Sequence, residues 1–328
     1  MEVLLKPYSS VDWEKKEFGG LMEVIGPPEG KDALTEKEIV KEIDNVDILL
    51  ADIDIKVTKE ILEHAKKLRA VICASIGVDN VDIDAATKHG IIVANNPDYC
   101  VIAVAEYAIG MIFALLRQIP RAACIAKEGN WGLRNRLEGT ELQGKILGVV
   151  GLGRIGREVA KKGSALGMKV MAYDPYVNSS TADSVGAKLV LFDELLRNSD
   201  VITIHIPLLP NTHNLFGDNE FKIIKEKSYL VNVSRGGIVD EKALLRALTS
   251  GQLAGAALDV LTVEPPQEEN PLLKIDKVFI TPHIGWNTIE AKLKGHKTLI
   301  EQVNDVLKFK VPKYVINKQV LSKWKERF

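Results

Sequence analysis

The residues with the plainest chemistry are Gly151-Leu152-Gly153-Arg154-Ile155-Gly156, which have the G-x-G-x-x-G spacing of a turn that accepts a diphosphate. In such a turn the first glycine lets a strand bend sharply, the second removes a side chain that would block the pyrophosphate, and the third lets the following helix pack closely. Backbone N–H groups at the helix start, backed by the helix dipole, hold the anion. The flanking sequence fits. Residues 146–150 form an apolar run that reads as a buried strand, and 157–166 carry helical spacing with Val159, Ala160 and Leu166 on one side. A second short strand, 169–173, ends on Asp174. An acid at that offset accepts hydrogen bonds from both adenosine ribose hydroxyls and repels a 2′-phosphate, so it selects NAD over NADP.

Open parallel sheets bind ligands beyond the carboxyl ends of their strands, so polar residues just after apolar runs come next. Four places qualify. Ser75-Ile76-Gly77-Val78 follows 70–74 and makes a glycine-loop anion cradle. Ser234-Arg235-Gly236-Gly237 follows 229–233 and supplies a guanidinium. Residues 259–264 supply the carboxylates of Asp259 and Glu264, and Pro282-His283-Ile284-Gly285 supplies an imidazole. All four are expected to open toward one cleft. Of the other histidines, His205 lies beside the expected cofactor site, His64 and His89 sit on helical faces or ends, and His213 and His296 read as solvent-facing.

The elements that must position these groups alternate. Strand-like 3–6, 46–51, 70–74 and 91–94 are separated by helical 35–43, 58–67 and 82–89, so the first hundred residues read as a small α/β domain with a parallel sheet. Asn95-Asn96-Pro97-Asp98 breaks the rhythm. Residues 101–117 then form a long, almost wholly apolar helix, buried on several sides, that joins two domains and packs under the second sheet. Between 118 and 143 the pattern weakens into a segment with Trp131, Arg134 and Arg136, read as an arm that embraces a partner subunit or as a plain surface loop.

After the nucleotide unit the rhythm resumes, with helices at 193–198, 218–224 and 241–250 and apolar strands at 201–205, 229–233, 256–259 and 278–281. A long helix, 288–309, has Ile289, Leu293, Ile300, Val303 and Leu307 near helical spacing. Its stripe carries the chain back to the first domain, where 311–328 form a tail. The predicted fold is α/β with two doubly wound parallel-sheet domains. A Rossmann NAD-binding domain, 99–288, is inserted in a discontinuous flavodoxin-like substrate-binding domain, 1–98 and 289–328.

A chain of 328 residues is too long for one typical core, which agrees with two domains. Its formal net charge of -1 gives no electrostatic case for nucleic acid or an anionic membrane as partner. Glu2, Lys6, Asp12 and Glu14 interrupt the start, so no secretory signal is read there, and no uncharged apolar segment approaches membrane-spanning length. Cys73, Cys100 and Cys124 lack metal-ligand spacing and read as buried free thiols in a reducing compartment. A cytoplasmic protein without a metal is expected.

Several motifs in order carry a family resemblance. Gly77-Val78-Asp79-Asn80-Val81-Asp82, the glycine fingerprint ending in Asp174, Leu230 to Asp240, Ala257-Leu258-Asp259-Val260 with Glu264-Pro265-Pro266, and Thr281-Pro282-His283-Ile284-Gly285 resemble the NAD-dependent D-2-hydroxyacid dehydrogenases over nearly the whole chain. That family includes glyoxylate/hydroxypyruvate reductases, D-lactate, D-glycerate and D-3-phosphoglycerate dehydrogenases, and NAD-binding transcriptional corepressors.

The resemblance implies that His283 is the general acid for a 2-keto acid carbonyl and the base in reverse. Glu264 fixes its tautomer and raises its pKa, and Arg235 grips carboxylate and carbonyl. It further implies cofactor contacts at Gly151, Gly153, Arg154, Ile155 and Gly156 in the turn, Asp174 on the ribose, and His205, Ile206 and Pro207 near the adenine side. Val233, Ser234 and Arg235 fall near the nicotinamide ribose, Asp259 at the carboxamide, and His283 and Gly285 by the ring. Substrate contacts are implied at Ile76, Gly77 and Val78, with Arg235, His283 and Trp286.

Within the family, phosphoglycerate dehydrogenases usually carry an Asn-containing, glycine-bearing segment where this chain has Pro97-Asp98-Tyr99-Cys100-Val101, and many add a C-terminal regulatory domain beyond the point where this sequence stops. Trp286, where many relatives have a small residue, would narrow the pocket or stack beside the substrate, and glyoxylate/hydroxypyruvate reductases and the corepressors both often show an aromatic there. The expectation is therefore a cytoplasmic homodimer that reduces glyoxylate or hydroxypyruvate. D-3-phosphoglycerate dehydrogenase is the alternative, and an NAD-sensing corepressor-like scaffold the rival of another class.

Overall fold

A computed structural model describes residues 1–327. The chain divides into two compact units, Met1–Cys100 together with the chain from Ile289 on, and Val101–Thr288. The first unit holds strands β1 (Val3–Leu5), β2 (Glu23–Ile25), β3 (Ile48–Ala51), β4 (Ala70–Cys73) and β5 (Ile92–Ala94). They pair in parallel in the order β2-β1-β3-β4-β5, the doubly wound flavodoxin-like order. Every residue of β3, β4 and β5 is buried, because helices cover both faces of a parallel sheet.

The second unit holds β6 (Ile146–Val150), β7 (Lys169–Tyr173), β8 (Ala187–Leu189), β9 (Val201–Ile204), β10 (Ser228–Asn232), β11 (Leu253–Leu258) and β12 (Val278–Ile280). Their parallel order is β12-β11-β10-β9-β6-β7-β8. The strand order reverses between β6 and β9, and a dinucleotide crevice forms at such a switch point. The apolar helix Val101–Leu116 packs on β10, β11 and the helix that follows β6.

Several expectations are corrected. Residues 118–143 are not one extended arm: Gln118, at φ +52°, breaks the apolar helix, and a second helix, Ile119–Lys127, leaves at a bend of 60° before a 3-10 turn at Trp131–Arg136. This second helix buries none of its residues, which is why its sequence shows no inward stripe. The helix Asp12–Phe18 and the short strands β2 and β8 were also not anticipated, being too brief to show a period.

On the long helix Ile289–Leu307 the buried face is Ala291, Gly295, Leu299, Gln302, Val303 and Val306, whereas Ile289 and Leu293 are exposed. The small residues admit the 95–99 loop: Asn96 Nδ2 donates to the Gly295 carbonyl at 3.2 Å, and the Tyr99 ring lies 3.2 Å from where a Cβ on Gly295 would sit. Cys73 and Cys100 are buried, but Cys124 is exposed on the unburied helix. His296 is half-buried rather than fully solvent-facing, with its ring stacked on Trp13 at 4.0 Å. Among the described residues no single helix is long and apolar enough to cross a membrane.

Candidate active site

The three glycines of the turn are needed for three different reasons. Gly151 has φ +94°, and a Cβ there would lie 2.6 Å from Ile206 and 2.7 Å from the His205 carbonyl oxygen. A Cβ on Gly156 would lie 1.9 Å from the Gly151 carbonyl oxygen, so only glycine lets the helix Arg154–Ala165 seat against the turn. Gly153 is the opposite case. A Cβ there would meet nothing within 4 Å, so its missing side chain leaves open space in front of the helix start.

The amides of Gly153, Ile155 and Gly156 have no acceptor among the described residues, and the helix has no side-chain cap. Unsatisfied first-turn amides behind an open space fit a diphosphate. Asp174 closes the other side of the turn. Its Oδ2 accepts from the Leu152 amide at 2.8 Å and its Oδ1 from the Tyr176 amide at 2.9 Å. A carboxylate has about four lone-pair sites, so capacity for a ribose diol is left. These features fit an NAD-like dinucleotide.

His205 and Ile206 follow β9 and press against Gly151, His205 with its carbonyl and Ile206 with its side chain. The imidazole bonds Thr203 Oγ1 at 2.9 Å, and burial pulls its pKa down to about 3, so it is neutral and makes a structural contact. Pro207 is exposed just beyond. The Ser234 hydroxyl donates to the Ile206 carbonyl, tying the β9 and β10 ends together, and Val233 is buried beneath them. Asn232, a polar residue closing an apolar strand, was overlooked in sequence. Its Oδ1 accepts from the Ser234 amide at 3.0 Å and its Nδ2 donates to the Arg235 carbonyl at 2.9 Å, which shapes the loop that presents Arg235.

Arg235, Glu264 and His283 are brought together at the carboxyl ends of β10, β11 and β12. His283 Nδ1 lies 2.8 Å from Glu264 Oε2, and Glu264 Oε1 accepts from the Leu261 amide at 2.8 Å. Burial pulls the imidazole pKa down, but the hydrogen bond and charge of Glu264 outweigh it and hold the pKa above its ordinary 6.5; the Arg235 charge opposes and that of Asp259 adds. Glu264 mirrors this. Burial pushes it up, yet the bonds from His283 and Leu261 and the charges of His283 and Arg235 hold it below 4.5. A Cβ on Gly236 would lie 1.9 Å from the Leu261 carbonyl carbon, so the arginine loop and the glutamate loop touch backbone to backbone.

His283 also has φ +53°, a left-handed conformation uncommon outside glycine that persists only when its surroundings enforce it. Asp259 does so. Only 2% exposed, it receives the Thr281 hydroxyl at 2.6 Å and the Ile284 amide at 3.0 Å on Oδ1 and the Gly285 amide at 2.8 Å on Oδ2, while its carbonyl accepts from the His283 amide at 2.9 Å. It therefore sits behind the 281–285 loop as its clamp. Tyr107, which sequence reading also missed, joins here from the apolar helix. Its ring lies 3.3 Å from where a Cβ on Gly285 would be. Trp286 follows, half-buried.

In the other unit, Ser75 donates to the Gly77 carbonyl at 2.7 Å and Asn95 Nδ2 to the Ile76 carbonyl at 2.7 Å. These bonds turn the carbonyls inward. The Gly77 and Val78 amides have no acceptor among the described residues, which suits an anion.

Comparison with known proteins agrees with this geometry. Residues 109–285 match the model of the D-isomer specific 2-hydroxyacid dehydrogenase NAD binding domain. Over 298 residues the chain is 43% identical to the D-3-phosphoglycerate dehydrogenase of Methanocaldococcus jannaschii, covering 90% of this chain and 56% of that protein. It is 45% identical to that of Archaeoglobus fulgidus, covering 85% and 53%. The chain spans about half the length of the curated relatives it matches. A solved D-lactate dehydrogenase from Aquifex aeolicus, complexed with NAD and lactic acid, superposes with a TM-score of 0.85 at 27% identity, over 96% of this chain and 99% of that one. The glycine turn, the clamped histidine loop and these likenesses agree, and the chain belongs to the D-isomer specific 2-hydroxyacid dehydrogenase family, with its NAD-binding domain at residues 109–285.

Proposed function

We propose that the protein is an NAD-dependent oxidoreductase that interconverts a 2-keto acid and the matching D-2-hydroxy acid. The observation that carries this reading is the 2.8 Å contact between His283 and Glu264, within charge range of Arg235 and on the same sheet as the glycine turn. When bound, NADH supplies a hydride to the carbonyl carbon. With Nδ1 held by the carboxylate, Nε2 of His283 is the nitrogen that faces substrate, and the raised pKa favours its protonated form. Nε2 gives its proton to the carbonyl oxygen as the carbon–hydrogen bond forms, and takes it back when the alcohol is oxidised. Arg235 presents a planar fork to the carboxylate and carbonyl, which the point charge of a lysine would not match. Gly77 and Val78 are assigned the carboxylate, Ile76 and Trp286 the pocket wall, and Asp174 the ribose diol.

The relatives shift the substrate. Sequence motifs led to glyoxylate or hydroxypyruvate, whereas the two curated relatives described above are both named D-3-phosphoglycerate dehydrogenase, and that likeness favours D-3-phosphoglycerate. Unphosphorylated hydroxypyruvate remains the second reading because Asp52 and Asp54 follow β3 and Asp79 follows β4, a charge pattern that repels a phosphate. NADH oxidation with phosphohydroxypyruvate, hydroxypyruvate, glyoxylate and pyruvate decides. The highest kcat/KM is expected for phosphohydroxypyruvate, a preference for hydroxypyruvate selects the second reading, and no turnover with any of them removes the enzyme in favour of an NAD-sensing scaffold. A cytoplasmic homodimer is part of the same proposal. The unburied helix Ile119–Lys127 and the exposed Trp131 supply a surface for a second copy, and a monomer mass by light scattering would remove that part.

A further inference from the structure

We propose that Asn95 and Ser75 are positioning residues that aim two amides of the 75–78 loop, Asn95 the Gly77 amide and Ser75 the Val78 amide; this rests on the reading of those amides as the seat of the substrate carboxylate. A trans peptide is planar, and its carbonyl and its N–H point in opposite directions. Whatever holds the Ile76 carbonyl therefore sets where the Gly77 N–H faces, and whatever holds the Gly77 carbonyl sets the Val78 N–H. Asn95 Nδ2 donates to the first carbonyl at 2.7 Å and Ser75 Oγ to the second at 2.7 Å. Both holding residues are buried, whereas Ile76, Gly77 and Val78 are half-buried. The holds lie inside the unit and the held loop at its surface.

Glycine makes such holds necessary. With no Cβ on residue 77, the peptides on either side of it rotate at little cost, and a rotated peptide would turn a carbonyl oxygen toward an anion in place of an N–H. Asn95 can serve as a fixed strut because its own backbone is tied on two sides. Its carbonyl accepts from Nε2 of buried Gln302, on the long helix, at 3.2 Å, and its amide donates to the Tyr314 carbonyl at 3.2 Å. The Asn96 amide donates to the Ser75 carbonyl at 3.0 Å, so the two holding residues share one frame. These ties are made by the backbone of 95–96 and not by the Asn95 side chain, whose removal therefore frees the Ile76 carbonyl and leaves the frame in place.

The test pairs Asn95→Ala with Ser75→Ala. Each should raise KM for the keto acid by about three- to tenfold, what one neutral hydrogen bond is worth, with kcat and the NADH dissociation constant little changed, because the binding lost is common to substrate and transition state. A lower melting temperature with KM unmoved would assign both residues to the fold alone and overturn the proposal. A second readout is specific to each amide and needs no turnover. Oxalate, a two-carbon dianion without a ketone or aldehyde, titrated into isotopically labelled protein saturated with NADH, should shift the Gly77 and Val78 amide resonances of the parent protein. Asn95→Ala should weaken the Gly77 response more than the Val78 response, and Ser75→Ala the reverse. Equal losses at both amides in both variants, parental shifts in both, or no shift in the parent protein would overturn the aiming. Absence of turnover with any keto acid in the parent would instead overturn the oxidoreductase reading, and the amide shifts of the two variants would still decide the roles of Asn95 and Ser75.

Discussion

The two units share a sheet plan and differ at one edge. At the amino edge of each sheet an acid ties neighbouring strands. Asp47, ahead of β3, accepts the first amide of β1 at 2.9 Å and pairs with Arg69 at 3.0 Å; Asp200, ahead of β9, accepts the first amide of β6 at 2.8 Å and pairs with Lys225 at 2.7 Å. At the carboxyl edge the likeness ends. After β6 come bare glycines and a twelve-residue helix with open amides, whereas after β1 come Lys6-Pro7-Tyr8-Ser9-Ser10 and a seven-residue helix. There Lys6 pairs with buried Glu14 at 3.0 Å, and burial drives the Tyr8 phenol well above its ordinary range. One first turn is an open anion site and the other is packed with side chains, so the same architecture binds a dinucleotide in only one unit.

The largest test of that contrast is His283→Gln, which should cut kcat by a factor of about 10²–10⁴ while NADH binding, read by fluorescence titration, stays intact. A variant with near-parental turnover would show that the second unit does not carry the proton chemistry. Gly153→Val comes next. Because its side chain enters open space, the melting temperature should hold while NADH affinity falls at least about tenfold; unaltered affinity would mean that the open space is not the diphosphate site. Gly156→Val, by contrast, should unfold the turn itself.

Asp174→Asn should narrow the preference for NADH over NADPH by about tenfold, since it removes the charge that repels a 2′-phosphate. An unchanged ratio would take cofactor choice away from this residue. Glu264→Gln tests pH. His283 has a raised pKa, so the pair's stabilisation is fully present below 6.5 and fades as pH rises through the raised value; Glu264 has a lowered pKa, so its share is present above 4.5 and fades as pH falls. The variant should therefore lose most stability between these two values, and the alkaline fall in keto-acid reduction should move to lower pH. A profile that stays in place would disconnect Glu264 from the imidazole.

The smallest effects concern what the units share. Asp47→Asn and Asp200→Asn should each destabilise by about 1–3 kcal/mol, read from denaturant midpoints. Asp47 should lose more, because its partner Arg69 is 12% exposed and Lys225 is 41% exposed. A larger loss at Asp200 would mean that burial of the paired cation does not set the strength of the tie.

The glycine turn was legible because its local chemistry repeats wherever a strand meets a diphosphate, and Asp174 because its offset is fixed by one strand–helix–strand unit. His283 and Glu264 were singled out by their places just after strands, but their pairing was legible only by resemblance: nineteen positions separate them, and no period links residues on different strand ends. Asn232 escaped because it is a lone polar residue at the edge of an apolar run, where sequence cannot say which neighbour takes its hydrogen bond, and Tyr107 because it lies within an apolar helix whose packing partner the sequence does not name. The long helix misled for a related reason. Large residues mark a buried stripe when the partner is flat, but here a loop nestles on Ala291 and Gly295, and the bulky Ile289 and Leu293 face away.

Gly236 has a practical consequence for anyone redesigning selectivity. Because its main chain abuts that of Leu261 and Thr262, the segments bearing Arg235 and Glu264 move as one block, and randomising either would disturb the acid–base couple before it altered ligand choice. Libraries aimed at a new acid should leave that block alone and vary Trp286 instead.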